Sequence, residues 1–323
     1  MNSKKNLKVG VVGVGNMGRN HLRVLSTMRE YDLVGCFDIN EQSCAAQADM
    51  YGITAFTSPE DLYTSVNVVN IAVPSFLHKD YALAAANVGC HILLEKPIAL
   101  KSEDGYEIID ACKKAGVQLC VGHVERYNPA VSTMLQIINQ EELISIDFHR
   151  MSPYYGRAAD ASVVEDLMIH DIDVLNAITQ SPIKRIVSHG ATSYTDKLDY
   201  AQALITYESG LVASLTASRV TEEKIRRAEI NTRNCYITVD YLNRTVEISR
   251  KTNFTLDVGY PVQYSQENII EKVFVPITEP LRNEFEHFAH CINTGDIIAT
   301  SGEMALKALE LCQTIQNNAL IGQ

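Results

Sequence analysis

The chain has 323 residues, 46% apolar and 21% charged, which is enough to build two cores and too evenly mixed for a disordered or fibrous protein. Its 28 Lys and Arg against 39 Asp and Glu give a net charge of −11, which argues against general affinity for nucleic acid or anionic membrane. A local basic site for one phosphorylated small molecule stays compatible with that balance.

The eight Cys residues contain no Cys-x-x-Cys pair and several lie within apolar runs, so free thiols in a reducing cytoplasm are expected. Neither a cleavable leader nor a membrane-spanning run is expected, and the protein is placed in the cytoplasm. Residues 7–14 are a strand with almost no alternation, as when both faces of a sheet are covered. A glycine-rich turn follows, then a helix at 19–28 and a strand at 32–37 that ends in Asp38. Next come a helix at 41–51, a short strand at 54–56, a helix at 59–64, a strand at 66–73 and a helix at 78–88. A strand at 91–94 runs into Glu95-Lys96-Pro97, and a helix at 102–115 and a strand at 118–121 complete the series. Regular alternation with short connections predicts an α/β, doubly wound parallel sheet.

Beyond Gly122 the alternation stops. Strands are expected near 144–148, 183–189, 201–207, 211–217, 228–230, 236–241, 245–249 and 272–277. Glu208-Ser209-Gly210 joins the third and fourth of these as a hairpin. Helices are expected at 129–140, 161–179, 281–293 and 301–319. The predicted organisation is a nucleotide-binding domain over 1–122 and an α+β domain with a mainly antiparallel sheet over 123–323.

Gly13-Val14-Gly15-Asn16-Met17-Gly18 leaves a strand and opens a helix, with Asp38 at the end of the next strand. This is the context a Rossmann dinucleotide site requires. Gly13 permits the tight turn, Gly15 lets backbone amides approach a pyrophosphate, and Gly18 lets helix and strand pack closely. The free amides and positive dipole at the helix start hold the anion. Asp38 can accept the adenosine ribose hydroxyls and would repel a 2′-phosphate, so NAD is expected over NADP. Lys96 stands at the carboxyl end of a parallel strand, where such sheets bind their ligands, and its ammonium can hold a ribose or a substrate hydroxyl.

Gly13-x-Gly15-x-x-Gly18, Ala72-Val73-Pro74-Ser75-x-x-His78, Glu95-Lys96-Pro97 and Asp166-x-x-x-His170-x-x-Asp173 together resemble the Gfo/Idh/MocA family of NAD(P)-dependent sugar and polyol dehydrogenases. The resemblance spans nearly the whole chain. It implies a cofactor site built from Gly13, Gly15, Asn16, Met17, Gly18, Asp38, Val73, Pro74, Ser75, His78, Glu95 and Lys96, and catalytic roles for Lys96, Asp166 and His170. It also implies a large open sheet in the second domain whose face is often covered in homodimers or homotetramers.

Within 163–178, Asp166, His170 and Asp173 share one helical stripe, with Val164, Leu167, Met168, Ile172, Leu175 and Ile178 on the opposite face. Val163, Ile169 and Val174 flank the stripe, and a narrow polar strip between apolar edges suits the floor of a pocket. Oxidising a secondary alcohol needs a base for the hydroxyl proton: His170 titrates in the right range, Lys96 can stabilise the alkoxide, and either can take the proton directly. Asp166 could orient either one. No third ligand completes a zinc set, so no metal is expected.

Glu125-Arg126-Tyr127-Asn128, ahead of Pro129, forms a dense polar cluster, and Tyr154-Tyr155-Gly156-Arg157 an aromatic and basic loop whose Arg157 can pair with a phosphate. Glu125, Arg126, Tyr127, Asn128 and Arg157 are taken as substrate-binding, together with Lys96 and His170. Many relatives carry Gly where Met168 stands. That departure, with His123 to Pro129, resembles the branch of the family that oxidises the 3-hydroxyl of UDP-N-acetylglucosamine to a ketone for a partner aminotransferase, in lipid A or surface-polysaccharide synthesis. Inositol, a free sugar or another nucleotide sugar are the alternative substrates, and a non-catalytic NAD-binding regulator is the alternative class.

Overall fold

The computed structural model describes residues 7–156, 161–252, 255–257, 263–265 and 268–321. The chain forms two compact units, one of residues 1–127 and 279–310, the other of 128–278 and 311–323.

The first unit alternates β1 (Leu7–Val12), α1 (Asn16–Leu25), β2 (Tyr31–Phe37), α2 (Glu41–Tyr51), β3 (Thr54–Ala55), α3 (Pro59–Ser65), β4 (Val68–Ile71), α4 (His78–Val88), β5 (His91–Glu95), α5 (Ser102–Ala115) and β6 (Leu119–Gly122). Every strand pair is parallel, in the order β3-β2-β1-β4-β5-β6. β1 shows why its sequence lacks alternation: Val9 and Val11 enter one apolar cluster, Val12 the other, and all three are fully buried. Helix ends follow local chemistry. Asn40 and Ser58 cap α2 and α3 through their side chains, and Gly52, Gly89 and Gly116 stop α2, α4 and α5 in the left-handed conformation.

The second unit contains α6 (Pro129–Ile138), β7 (Leu143–Met151), a π-helical turn (Val164–Met168) running into α7 (Ile169–Ile178), then β8 (Ile183–Ala191), β9 (Tyr200–Tyr207), β10 (Val212–Ser218), β11 (Ile225–Thr232), β12 (Tyr236–Asp240) and β13 (Thr245–Lys251). β14 (Thr255–Asp257) and β15 (Gln263–Ser265) pair with each other, and β16 (Asn268–Val273) closes the main sheet. That sheet runs β16-β13-β12-β11-β7-β10-β9-β8 and is antiparallel except for the central β7–β10 pair. Because β7 and β10 are parallel, with Met151 opposite Ser218, both deliver their following loops to one end of the sheet. The strand expected at 272–277 lies instead at Asn268–Val273, and the apolar run beyond it leaves Phe274 82% and Ile277 93% exposed.

The single boundary expected near Gly122 does not describe the units. α8 (Pro280–Thr294) places Leu281, Phe285 and Phe288 in the cluster with Val9 and Val11. The first half of α9 (Gly302–Ile321) places Ala305, Leu306 and Leu309 in the other. The parallel sheet is thus finished by chain that lies far beyond its last strand. All eight cysteines are free and buried. Among the described residues no helix is long and apolar enough to cross a membrane.

Candidate active site

The glycine loop of the first unit is built by steric exclusion. Gly13 sits at φ +87°, where L side chains are strained, and a Cβ there would lie 2.7 Å from the Ala72 carbonyl oxygen. A Cβ on Gly18 would stand 1.8 Å from the Gly13 carbonyl oxygen, so only glycine lets α1 start this close to the turn. Gly15 is different: a Cβ there would meet nothing within 4 Å. The fold itself does not require that glycine, and the open space over its backbone is the cradle a diphosphate needs. No side chain caps α1 and no acid stands in its first turn, so its amides and dipole remain available to an anion. Asn16 and Met17 are exposed on that turn.

Asp38 follows β2, half-buried, and its carboxylate accepts hydrogen bonds from the Val14 amide at 2.7 Å and the Asn40 amide at 2.8 Å. Each oxygen keeps a further lone pair for a ribose hydroxyl. The residues present therefore fit a dinucleotide: Gly13 to Gly18 for the diphosphate and Asp38 for the adenosine ribose.

Two further loops leave the same sheet. After β4, Val73, Pro74 and Ser75 lead into a short 3₁₀ turn, Ser75–Leu77, and then α4. His78 is buried, with Nε2 3.0 Å from the Val73 carbonyl and Nδ1 2.8 Å from the Pro97 carbonyl. Burial holds this imidazole below its ordinary pKa, against two carbonyl contacts that pull the other way. Its polar atoms are occupied by backbone, so its part in any cofactor site is to tie the loop after β4 to the loop after β5.

Lys96 is half-exposed beyond β5, and its peptide bond to Pro97 is cis. Beneath it, Glu95 Oε1 lies 2.9 Å from Nε2 of His21, whose Nδ1 meets the Asn70 side-chain amide. His21 and Asn70 are fully buried, and Phe285 packs edge-on against the imidazole with centroids 5.5 Å apart. Burial alone would raise the Glu95 carboxyl; the His21 hydrogen bond and the His21 and Lys96 charges outweigh it and hold the group below the usual range. Sequence reasoning did not single out His21. Its signal was available: three and four residues from Gly18 and Leu25, it falls on the buried face of α1.

The polar cluster from His123 to Asn128 is largely packed away from solvent. His123, Glu125, Arg126, Tyr127 and Asn128 are all buried. Tyr127 Oη lies 3.1 Å from Thr300 Oγ1, and its carbonyl accepts from Asn283. Arg126 reaches the Ala299 carbonyl at 3.5 Å. In the second unit Asn128 caps α6 through the Ala130 amide and donates to the Tyr241 carbonyl. For Tyr127 and Asn128 the named polar groups hold scaffold. Arg157 lies outside the described residues.

In the second unit the helix expected as one regular stretch begins with the π turn Val164–Met168. A π turn advances less than 100° per residue, so Asp166 and His170 leave the phase assumed from the sequence. Both are half-exposed, while Asp173 is fully buried and leaves the polar stripe. Met168, Val163, Ile169 and Val174 are buried around them.

The neighbour the sequence reading passed over is Asp171. It accepts two hydrogen bonds from Arg150 of β7, at 2.9 Å from Nε and 2.7 Å from Nη2, with side chains 3% and 1% exposed. The Arg150 guanidinium also lies 5.8 Å from the centre of the Tyr241 ring. This buried, bidentate pair pins α7 to the sheet one residue from His170.

Comparison with known proteins agrees with this architecture. Residues 7–123 match the oxidoreductase family model with the NAD-binding Rossmann fold, GFO_IDH_MocA, and residues 140–237 match the GFO/IDH/MocA C-terminal domain. The chain is 34% identical over 242 residues to a UDP-N-acetylglucosamine 3-dehydrogenase of Acidithiobacillus ferrooxidans, covering 75% of this chain and 76% of that one. It is 32% identical over 301 residues to a glucose-6-phosphate 3-dehydrogenase of Bacillus subtilis, covering 86% and 82%. A solved structure of the Acidithiobacillus enzyme superposes with a TM-score of 0.89 at 29% identity, covering 98% of this chain and 99% of that one. The chain belongs to the Gfo/Idh/MocA family, and it is an NAD-dependent oxidoreductase acting on CH–OH groups.

Proposed function

We propose that this Gfo/Idh/MocA oxidoreductase oxidises a secondary hydroxyl of a sugar, and that its substrate is UDP-N-acetylglucosamine, taken at the 3-hydroxyl to the 3-keto sugar. Bound NAD supplies the hydride acceptor. Gly13, Gly15 and Gly18 with the start of α1 hold its diphosphate, and Asp38 selects NAD over NADP. Lys96, kept in place by Glu95 and His21, lays its ammonium on the oxygen as alkoxide charge develops. His170 accepts the hydroxyl proton, and Asp166 orients it.

What supports this reading most is the pattern of exposure on the motif residues. Lys96, Asp166 and His170 remain half-exposed, while His78, Asp171 and Asp173 beside them are buried. The two relatives named above are both 3-dehydrogenases of phosphorylated sugars, which favours position 3 and supports a sugar phosphate as the second reading. In the first reading the product is a ketone for an aminotransferase, in the cytoplasmic part of lipid A or surface-polysaccharide synthesis. The eight-stranded sheet of the second unit then serves a homodimer or homotetramer.

The test is NADH formation from NAD with UDP-N-acetylglucosamine, glucose 6-phosphate, inositol and free sugars, each with a ketone trap to draw the reaction forward. Turnover with the UDP-sugar is expected, falling about 10²–10⁴-fold in Lys96→Met, which still binds NAD. Turnover with glucose 6-phosphate alone would replace the substrate and keep the chemistry. No turnover with any sugar would favour the regulator.

A further inference from the structure

One end of the second unit's sheet gathers an ordered aromatic group that the chemistry above does not use. Tyr154 follows β7, Arg219 follows β10, and Tyr194 lies in the β8–β9 loop. The Tyr154 and Tyr194 rings stack with centroids 5.2 Å apart and planes 5° from parallel. The Arg219 guanidinium lies 6.0 Å from the centre of the Tyr154 ring. Tyr194 is 55% exposed although it covers Tyr154, so its ring presents an open side to solvent.

The backbone beneath Tyr194 is held far more firmly than an exposed loop tip requires. Asp199, fully buried, accepts the amides of Ser193 and Tyr194 at 2.6 Å and of Thr195 at 3.0 Å, and the Thr195 hydroxyl as well. It also pairs with Arg219 at 3.4 Å. Burial alone would raise this carboxyl; the three amides and the hydroxyl outweigh it and hold it below the usual carboxylate range. The same group is bonded to the segment that opens the His170 helix. Arg219 donates to the Ala161 carbonyl, and the Val163 amide donates to Leu198 at 2.9 Å. Val163 immediately precedes the π turn and helix that carry His170, so the platform and that helix belong to one hydrogen-bonded framework within the second unit.

We infer that Tyr194, stacked on Tyr154 and backed by Arg219, is a platform for the nucleobase of a nucleotide-linked sugar. A flat, preorganised aromatic surface suits a π-faced base, and holding the loop in advance avoids an ordering cost on binding. The inference rests on the nucleotide-sugar reading above and deepens it.

It is tested by calorimetric titration of the full chain and of Tyr194→Ala and Tyr194→Phe with UDP and with N-acetylglucosamine 1-phosphate, which keeps sugar and phosphate but lacks the base. Tyr194→Ala should weaken UDP about 5- to 100-fold, the range for loss of one base–aromatic stack, and leave the sugar phosphate unchanged. Tyr194→Phe, which keeps the ring, should restore UDP binding. Unchanged UDP affinity in Tyr194→Ala, or equal loss for both ligands, overturns the platform while the nucleotide-sugar reading stands. Failure of the wild-type chain to bind UDP, with turnover of a sugar that carries no nucleotide, overturns both.

Discussion

The loop at Gly13–Gly18 and the helix at Val164–Ile178 carry the two halves of the proposed chemistry in opposite ways. The loop acts through missing side chains: backbone amides, a helix dipole and room for a ligand. The helix acts through side chains whose placement depends on a π turn and on a buried ion pair behind it. Steric exclusion leaves a fixed mark in a sequence, because only glycine meets it. A side-chain constellation leaves a spacing, and spacing becomes geometry only once the helix type and the partners of each residue are known.

The sharpest way to break the helix half is Arg150→Met, which strands the Asp171 carboxylate in the interior. A loss of about 3–5 kcal/mol is expected in urea unfolding, and Arg150→Met with Asp171→Leu should recover most of it by replacing the whole pair with apolar groups. If the single variant is as stable as the wild type, the pair does not pin α7.

The loop half separates more finely, because its glycines differ in what excludes a side chain. Gly18→Ala forces the Gly13 carbonyl to move, and about 1–3 kcal/mol of stability should go together with NAD affinity. Gly15→Ala adds a methyl group to open space. Its unfolding free energy should match the wild type within about 0.5 kcal/mol, yet NAD titration should show weakened binding. Equal stability losses in the two variants would contradict this division.

The smallest effect concerns Glu95, whose folded-state pKa is depressed. The stability it contributes is present above the unfolded value of about 4.3 and is lost as pH falls through the folded value. Wild type and Glu95→Gln should therefore differ in unfolding free energy at pH 7 and converge as pH falls through the depressed folded value. A gap that widens with acid would reverse the sign of the His21–Glu95 coupling.

Much of the first unit was legible. The helices at Glu41–Tyr51, His78–Val88 and Ser102–Ala115 lie where the sequence pattern predicts, and each ends at a left-handed glycine. Three features were harder to see, each for its own reason. The π turn changes phase without any residue type that signals it. Arg150 did carry a signal: it occupies the inward parity of β7 after Ile146 and Phe148, where a charge demands a buried partner. The closing of the first unit by α8 could not be read locally, since an amphipathic helix does not state which apolar face it will cover.

That last feature has a consequence in time. Val9, Val11, Leu22 and Leu25 share a cluster with Phe285 and Phe288, so the parallel sheet emerges from the ribosome long before the helix that covers one side of it. Making the intervening chain takes roughly 8 to 30 s at about 5–20 residues per second. Over that interval the half-built sheet shows an apolar surface with no native cover, which is the condition under which nascent chains aggregate or are held by chaperones. For this protein the pace of translation, and not only the stability of the finished fold, decides how much of it survives to bind a cofactor.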